Sequence, residues 1–283
     1  MPSNAEFQAK APGYLVLLSG HFGSGKTEAA CSFPKFYMVC GGKEPALLRR
    51  PDRKGLLDNL VHIESISTEE DQELKGLFAM PSAKNPVPPG SILGILAQVK
   101  ELAVAGKIQT LIFDDFTYFV DMKWRSICAF EEVRSAKTGA IDKQAMYRSL
   151  GNYLDWFVSA NLVTLSTRYG LNVVATCHLR RESQDTVEGN EKVTDRPGKV
   201  ITTNIAPMVE GGFRNKLEGK FHASLYCENR AMPGKDGKRE NRYLLHAQPV
   251  MALETRLMAK NEYGLPATTD VTDKEFFQLI KSG

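Results

Sequence analysis

A glycine-rich segment near the start of the chain has the residue types and spacing of a phosphate-binding loop. The pattern G-x-x-x-x-G-K-[ST] is matched by Gly20, Gly25, Lys26 and Thr27. Glycines let the backbone bend tightly and direct successive N–H groups at phosphate oxygens. The lysine adds a positive charge against the terminal phosphates, and the threonine hydroxyl is a ligand for magnesium. The pattern therefore predicts a site for a nucleoside triphosphate and Mg²⁺.

The surroundings of the loop favour this interpretation over a glycine turn that binds nothing. A buried-type strand over 15–18 precedes the loop, and Glu28 opens a predicted helix whose positive N-terminal end faces the same anion. We therefore expect the whole loop to contact the nucleotide. The candidate nucleotide-binding residues are Gly20, His21, Phe22, Gly23, Ser24, Gly25, Lys26, Thr27 and Glu28.

An aspartate at the end of a later apolar run supplies the second half of a phosphate-transfer site. The run 110–113 leads directly into Asp114 and Asp115. In P-loop proteins a carboxylate at such a strand end holds the magnesium ion. We therefore expect Thr27 and Asp114 to hold the metal. Asp115 either orients the attacking water or caps the next turn.

Two further polar residues follow apolar runs that are predicted to be strands, and open parallel sheets bind ligands beyond the carboxyl ends of their strands. Glu44 comes soon after the run 36–40 and either polarises the attacking water or is a solvated loop residue. His178 ends the run 171–178 and either senses the γ-phosphate or caps the strand. The candidate catalytic residues are Lys26, Glu44, Asp115 and His178.

The order of apolar and periodic segments predicts an α/β fold with a mainly parallel central sheet flanked by helices. Apolar residues recur with helical spacing over 92–105 and 153–169. Residues 180–204 are predicted to be a long polar loop, which in a compact domain is usually functional or disordered. The strand-like runs 221–228 and 242–248 predict a C-terminal antiparallel hairpin. The predicted strands of the central sheet are 15–18, 36–40, 61–66, 110–113 and 171–178.

Length and composition are ordinary for a globular protein. The 283 residues suit one large α/β domain, and we expect residues 1–13 to form a flexible N-terminal arm before a single domain over 14–283. The net charge of +3 identifies no partner. Five cysteines without metal-ligand spacing predict reduced thiols in the cytoplasm. No apolar run approaches the ~20 residues that span a bilayer, so we expect no membrane partner.

Basic residues are concentrated in two segments. Over 121–150 they are interleaved with aromatic residues, a combination that binds single strands by charge and stacking. The alternative is an amphipathic helix pair whose aromatic side chains point inward. The second segment, 214–242, includes the predicted hairpin turn and is either a surface for phosphates or a solubilising hairpin tip.

The order of these features, followed by a Lys-Asn-x-aromatic-Gly motif at 260–264, resembles the RecA-like recombination ATPases. The similarity is greatest to the small phage-encoded, core-only members of that family, which act in single-strand annealing. The resemblance implies a RecA-like P-loop NTPase core that binds ATP and Mg²⁺ and contacts single-stranded DNA. It also implies a homo-oligomeric ring or filament in the host cytoplasm, with a single-strand-binding protein as a further candidate partner.

The resemblance also assigns roles to individual residues. It makes Glu44 the water-activating carboxylate and His178 the γ-phosphate sensor. It places Lys260 at a neighbour's nucleotide across a subunit interface, although Glu262 stands where related members carry an arginine.

Three functions are compatible with these features. The first is an ATPase of phage DNA recombination or replication that acts with single-stranded DNA. The second is an annealing module in which ATP is structural and hardly hydrolysed. The third is a P-loop kinase of small nucleotides, for which Arg180 and Arg181 would have to close over the acceptor.

Overall fold

The fold is built on a sheet with helices packed on both of its faces. The structure is a computed structural model that describes residues 11–41, 55, 57–66, 70–81, 86–88, 90–131, 133–135, 138–185, 200–209, 213–234, 238–248, 250–252, 255–257, 260–272 and 276–282. No helix in these ranges is both long enough and apolar enough to cross a membrane.

The described residues form twelve strands and eight α-helices, with one π-helical turn. The strands are β1 (Leu15–Gly20), β2 (Phe36–Cys40), β3 (Leu60–Ser65), β4 (Thr110–Asp114), β5 (Asn172–Asp185), β6 (Val200–Pro207), β7 (Ala223–Pro233), β8 (Arg239–His246), β9 (Val250–Ala252), β10 (Thr255–Leu257), β11 (Lys260–Asn261) and β12 (Thr268–Asp270). The helices are α1 (Lys26–Cys31), α2 (Asp71–Leu77), α3 (Ile92–Val104), α4 (Phe116–Phe130), α5 (Lys143–Trp156), a π-helical turn (Phe157–Leu162), α6 (Val163–Tyr169), α7 (Arg214–Lys220) and α8 (Phe276–Ser282).

The main path of the sheet has the strand order β12-β8-β7-β1-β5-β4-β2-β3. All neighbours from β3 to β7 along this path are parallel, whereas β8 runs antiparallel to β7. The predicted α/β class, the mainly parallel sheet with flanking helices and the C-terminal hairpin are therefore confirmed. The order also brings the carboxyl ends of β1, β5 and β4 together at one edge, with Gly20 directly opposite His178.

Burial on both faces explains why the central strands are continuous apolar runs. Every residue of β1 and of β2 is buried. In β1, Leu15 and Leu17 face a core that includes residues of α2 to α6, while Val16 and Leu18 face a core that includes residues of α1 and α8. A parallel strand covered by helices on both sides has no solvated face, so its sequence does not alternate.

The predicted loop over 180–204 is wrong at both ends. β5 continues to Asp185 and pairs antiparallel with β6, forming a ribbon that extends beyond the central sheet. The ladder between the two strands pairs their backbone groups, so a segment rich in polar residues can form a strand here. Arg180 and Arg181, the predicted kinase lid, therefore belong to a strand. Residues 186–199 lie outside the described part of the chain.

The helix predicted over 153–169 begins earlier and is not uniform. α5 begins at Lys143, where the Asp142 side chain accepts a hydrogen bond from the backbone N of Ala145 at 2.9 Å. The π-helical turn then separates α5 from α6, and Gly170 ends α6 with a φ of 63°. This end agrees with the predicted bound at 169, and glycine adopts the left-handed conformation without steric cost.

The basic and aromatic segment 121–150 contains parts of two helices, as one of its two interpretations predicted. The rings of Trp124 on α4 and Tyr147 on α5 stack with a centroid distance of 4.3 Å and an interplanar angle of 5°. Both side chains are partly buried. The two aromatics therefore pack the helices against each other, and binding of a single strand by this segment stays a prediction.

A partly buried carboxyl group on α7 predicts a dependence of stability on pH. Burial raises the pKa of Glu218 from 4.5 to about 7. The folded protein then binds this proton more tightly than the unfolded chain, so raising the pH from about 5 to about 8 removes stability. Glu218→Gln abolishes that loss, and its thermal midpoint is expected to exceed that of the wild type increasingly as the pH rises. If the thermal midpoints of the two proteins changed with pH in parallel, the prediction would be wrong. The control is Glu73→Gln, which makes the same change at an exposed position on α2.

Candidate nucleotide-binding site

The loop between β1 and α1 requires glycine at two positions for different reasons. Gly25 has a φ of 85°, and a methyl group there would lie 2.8 Å from the ring of Tyr243. A methyl group at Gly20 would lie 2.5 Å from the backbone oxygen of Cys227. The first position needs a left-handed backbone, and the second allows close approach of β7. Both explain the glycine spacing on which the sequence prediction depends.

Lys26 is folded over the loop with its ammonium group buried. The side chain donates from Nζ to the backbone oxygens of Gly20 at 3.0 Å and His21 at 2.9 Å. Burial lowers the pKa of Lys26, and the nearby carboxylates of Asp115 and Asp114 act in the opposite direction. A buried ammonium group whose direct oxygen contacts are neutral carbonyls is suited to an incoming anion, because phosphate oxygens would bring negative charge into direct contact with it.

Asp114 meets Thr27 as the sequence predicts. The Thr27 hydroxyl donates to the Asp114 carboxylate, with oxygen–oxygen distances of 3.1 and 3.2 Å. The hydroxyl of Thr176 on β5 donates to the same carboxylate. Burial raises the pKa of Asp114, while these two hydroxyls act to lower it. A hydroxyl and a carboxylate side by side at the loop are oxygen ligands of the kind that Mg²⁺ takes, so the residues fit the metal.

His178 and Asp115 form a second pair at the same edge of the sheet. The distance between His178 Nε2 and Asp115 Oδ2 is 2.9 Å, and His178 Nδ1 lies 3.5 Å from Lys26 Nζ. The exposed ring of Phe22 lies against the imidazole with a centroid distance of 3.8 Å. The other Asp115 oxygen accepts from the backbone N of Thr117 at 2.8 Å, which caps α4. Asp115 therefore has the capping contact, and its part in orienting water stays a prediction.

The structure brings most of the predicted site residues together. The side chains of the other two, Glu44 and Lys260, are not described. The loop residues Gly20 to Glu28, Asp114, Asp115 and His178 share one edge of the sheet. Glu44 lies outside the described residues. Lys260 lies in β11, where its backbone pairs with Ser224 of β7, and its side chain is outside the description.

The sequence interpretation missed residues that support this site. The Thr176 hydroxyl reaches Asp114, and the Thr117 hydroxyl accepts from the backbone N of His178 at 2.9 Å. Asn229 donates from Nδ2 to the backbone oxygen of Gly23 at 3.3 Å. Threonine in a strand and asparagine in a hairpin are too common to attract attention without the sheet order.

The Lys-Asn-x-aromatic-Gly motif supports the opposite end of β1. The Asn261 side chain donates to the backbone oxygen of Leu265 at 2.7 Å and accepts from its backbone N at 3.0 Å, which closes a turn. The Tyr263 hydroxyl accepts from the backbone N of Leu15 at 2.8 Å and lies 3.1 Å from His222 Nδ1. Gly264 has a φ of 68°. These contacts account for the asparagine, the aromatic residue and the glycine by structure alone.

Tyr263→Phe should therefore lower stability without changing nucleotide binding. The variant loses the hydroxyl that pairs with the backbone N of Leu15, and an unpaired buried donor costs about 1–3 kcal/mol. Chemical denaturation should give this loss, while titration with a magnesium nucleotide should give an unchanged affinity. Weakened nucleotide binding at full stability would contradict this assignment. Tyr169→Phe, on α6 away from the loop, is the matched control.

The strand–loop–helix unit with its buried lysine, together with the Thr27–Asp114 pair, defines a P-loop nucleotide-binding protein of the α/β class. The chain belongs to the AAA-domain family AAA_24, whose model matches residues 13–253. Membership of this family makes the chain a P-loop NTPase.

Comparison with solved structures gives distant similarities. One is to a KaiC-like protein of the hyperthermophilic archaeon Pyrococcus horikoshii, with 14% identity, a TM-score of 0.40 and coverage of 87% of this chain and 84% of that chain. Another is to the flagellar accessory protein FlaH of Methanocaldococcus jannaschii, with 12% identity, a TM-score of 0.36 and coverage of 94% and 88%. No curated protein matches the sequence.

Proposed function

We propose that the protein is a magnesium-dependent ATPase that converts ATP and water to ADP and phosphate. The observation that carries the proposal is the meeting of three groups at the carboxyl ends of β1, β4 and β5. These groups are the buried ammonium of Lys26, the Thr27–Asp114 pair and the His178–Asp115 pair. Together they offer positive charge, metal ligands and a polar contact for the terminal phosphate.

The proposed roles follow from these contacts. Lys26 exchanges its two carbonyl partners for phosphate oxygens and, with the loop amides, stabilises the charge of the transferred group. Thr27 and Asp114 hold the metal. A magnesium ion held there would neutralise charge that develops on the phosphate oxygens.

The attacking water has two candidate carboxylates, Glu44 and Asp115, and the contacts of Asp115 bear on the choice. Both Asp115 oxygens already have partners, the backbone N of Thr117 and His178 Nε2. Asp115 is therefore better suited to position His178 than to hold water directly. We assign the water to Glu44 and contact with the γ-phosphate to His178.

Phosphate release tests the proposal. The purified chain is incubated with ATP and Mg²⁺, and the same reaction is run with the metal chelated. We expect turnover that requires magnesium. The absence of turnover together with tight ATP binding would instead support a structural nucleotide, and transfer to a nucleoside monophosphate would support a kinase.

We further propose that ATP turnover is coupled to single-stranded DNA, in phage DNA recombination or replication, by a homo-oligomer. Support comes from the sequence resemblance and from the hairpin β7–β8. The hairpin carries two exposed arginines, Arg230 and Arg239, and it contacts the loop through Asn229. Sedimentation with an ATP analogue, with and without single-stranded DNA, tests assembly and DNA binding together. Turnover that is unchanged by single-stranded DNA, with no co-sedimentation, would contradict this part of the proposal.

A further inference from the structure

Two side chains of the hairpin β7–β8 lie directly against the phosphate-binding loop. Asn229 of β7 and Tyr243 of β8 are opposite each other in the antiparallel register. Asn229 donates to the backbone oxygen of Gly23, and the Tyr243 ring packs so closely on Gly25 that a methyl group there would lie 2.8 Å from it. Because opposite residues share a face of the sheet, the ring and the amide form one surface beside the loop. We call them the Asn229–Tyr243 pair.

The strand order indicates which part of a nucleotide reaches this surface. The groups suited to the terminal phosphates, Asp114 and His178, lie on β4 and β5, on one side of β1. The hairpin β7–β8 lies on the other side of β1. A triphosphate whose terminal phosphates lie toward β4 and β5 has its sugar and base at the opposite end. The base therefore lies toward the hairpin.

The Asn229–Tyr243 pair has the chemistry that a nucleobase requires. Aromatic side chains stack on bases, and amide side chains hydrogen-bond to the polar edges of bases. The Tyr243 side chain is partly exposed and Asn229 is exposed. Within the described part of the chain, the Asn229 side chain makes its hydrogen bond only to Gly23, so its amide oxygen and second N–H are available to a ligand.

The tyrosine is also held in place before any ligand arrives. Its backbone N donates to the Thr272 hydroxyl at 2.9 Å, and its backbone oxygen accepts from the backbone N of Val271 at 2.9 Å. The Thr272 hydroxyl in turn donates to Asp270 at 2.6 Å. A preorganised ring loses little freedom on binding, which favours affinity.

We propose that the Asn229–Tyr243 pair is the nucleobase subsite of this protein, with Tyr243 stacking on a purine and Asn229 contacting its polar edge. This inference rests on the proposed function, because it requires a nucleotide in the loop. It goes beyond that function in one respect. The hairpin residues, and not the loop alone, give a nucleoside triphosphate a higher affinity than a triphosphate chain without sugar and base.

The test compares two magnesium-bound probes, ATP and inorganic tripolyphosphate, by calorimetric titration of the full chain. Wild type binds ATP more tightly than tripolyphosphate. Tyr243→Ala weakens ATP binding about tenfold, which is within the range for loss of one base–aromatic stack, and leaves tripolyphosphate binding unchanged. Tyr243→Phe retains the ring and stays within about twofold of wild type for both probes. Asn229→Ala weakens ATP binding by a smaller factor than Tyr243→Ala and also leaves tripolyphosphate binding unchanged.

Each other outcome has a defined meaning. Equal weakening of both probes by Tyr243→Ala would overturn the inference, because the ring would then only support the loop. Equal affinity of the wild type for both probes would also overturn it while leaving the proposed function intact. Binding of neither probe by folded wild type would overturn the proposed function and the inference together. Thermal unfolding of each variant verifies its fold, and Tyr243→Phe and Asn229→Ala keep the test decisive if Tyr243→Ala is unstable.

Discussion

Lys26→Ala is expected to lower magnesium-dependent ATP turnover by at least about a hundredfold, which is the effect of removing a preorganised group that stabilises transition-state charge. The ammonium group is buried against the loop and contacts two carbonyl oxygens that a phosphate chain would replace. Phosphate release at saturating ATP measures the loss in turnover, and titration with a non-hydrolysable analogue measures the loss in affinity.

The same residue predicts a second result that separates function from stability. Burial of the Lys26 ammonium costs free energy in the absence of a ligand, and it lowers the pKa of the group. Lys26→Met keeps an unbranched side chain without the charge, so its thermal midpoint without nucleotide should equal or exceed that of the wild type. Lys107→Ala, at an exposed position after α3, is the control for both measurements. Wild-type turnover in Lys26→Ala would contradict the proposed role.

Asp114→Asn is expected to reduce turnover by about a hundredfold or more and to remove most of its dependence on magnesium. The substitution keeps the shape of the side chain and an oxygen that can accept from Thr27 and Thr176. It removes the negative charge that a divalent cation requires. Because burial raises the pKa of Asp114, loss of this charge should not destabilise the metal-free protein. Turnover measured over a range of magnesium concentrations gives the result.

The matched control is Asp121→Asn, which makes the same chemical change on the exposed surface of α4. It should leave turnover and the magnesium dependence unchanged. An Asp114→Asn protein that hydrolyses ATP with the wild-type magnesium dependence would show that this carboxylate does not hold the metal.

The sequence predicts the loop and its metal partner because their physical requirements are local. Gly25 needs a left-handed backbone, Lys26 and Thr27 follow it directly, and Asp114 ends an apolar run. Each of these signals lies within a few residues, so no knowledge of the sheet order is needed. The buried parallel strands are predictable for the same reason, since burial on both faces gives continuous apolar runs.

The rest of the site depends on contacts between distant parts of the chain. Thr176 reaches Asp114 because β5 lies between β1 and β4, and Asn229 reaches the loop because β7 pairs with β1 on its other side. Neither placement leaves a pattern in the sequence. The extension of β5 was missed because residues 180–185 are all polar and lack the apolar alternation that marks a half-buried strand.

The motif at 260–264 contributes to the sequence resemblance, but the contacts of Asn261 and Tyr263 are structural. Asn261 closes a turn, and Tyr263 pairs with the first residue of β1. Both contacts hold the strand that carries the phosphate-binding loop. The motif therefore supports the position of the loop from the far end of β1, whatever the role of Lys260.

The most direct measurement of the central claim is a calorimetric titration of the full chain with a non-hydrolysable ATP analogue in the presence of Mg²⁺. We predict saturable binding with about one nucleotide per chain, as expected for one P-loop. Binding should be lost in Lys26→Ala and retained in Lys107→Ala. The absence of a binding signal for the folded wild-type protein, or undiminished binding by Lys26→Ala, would contradict the account.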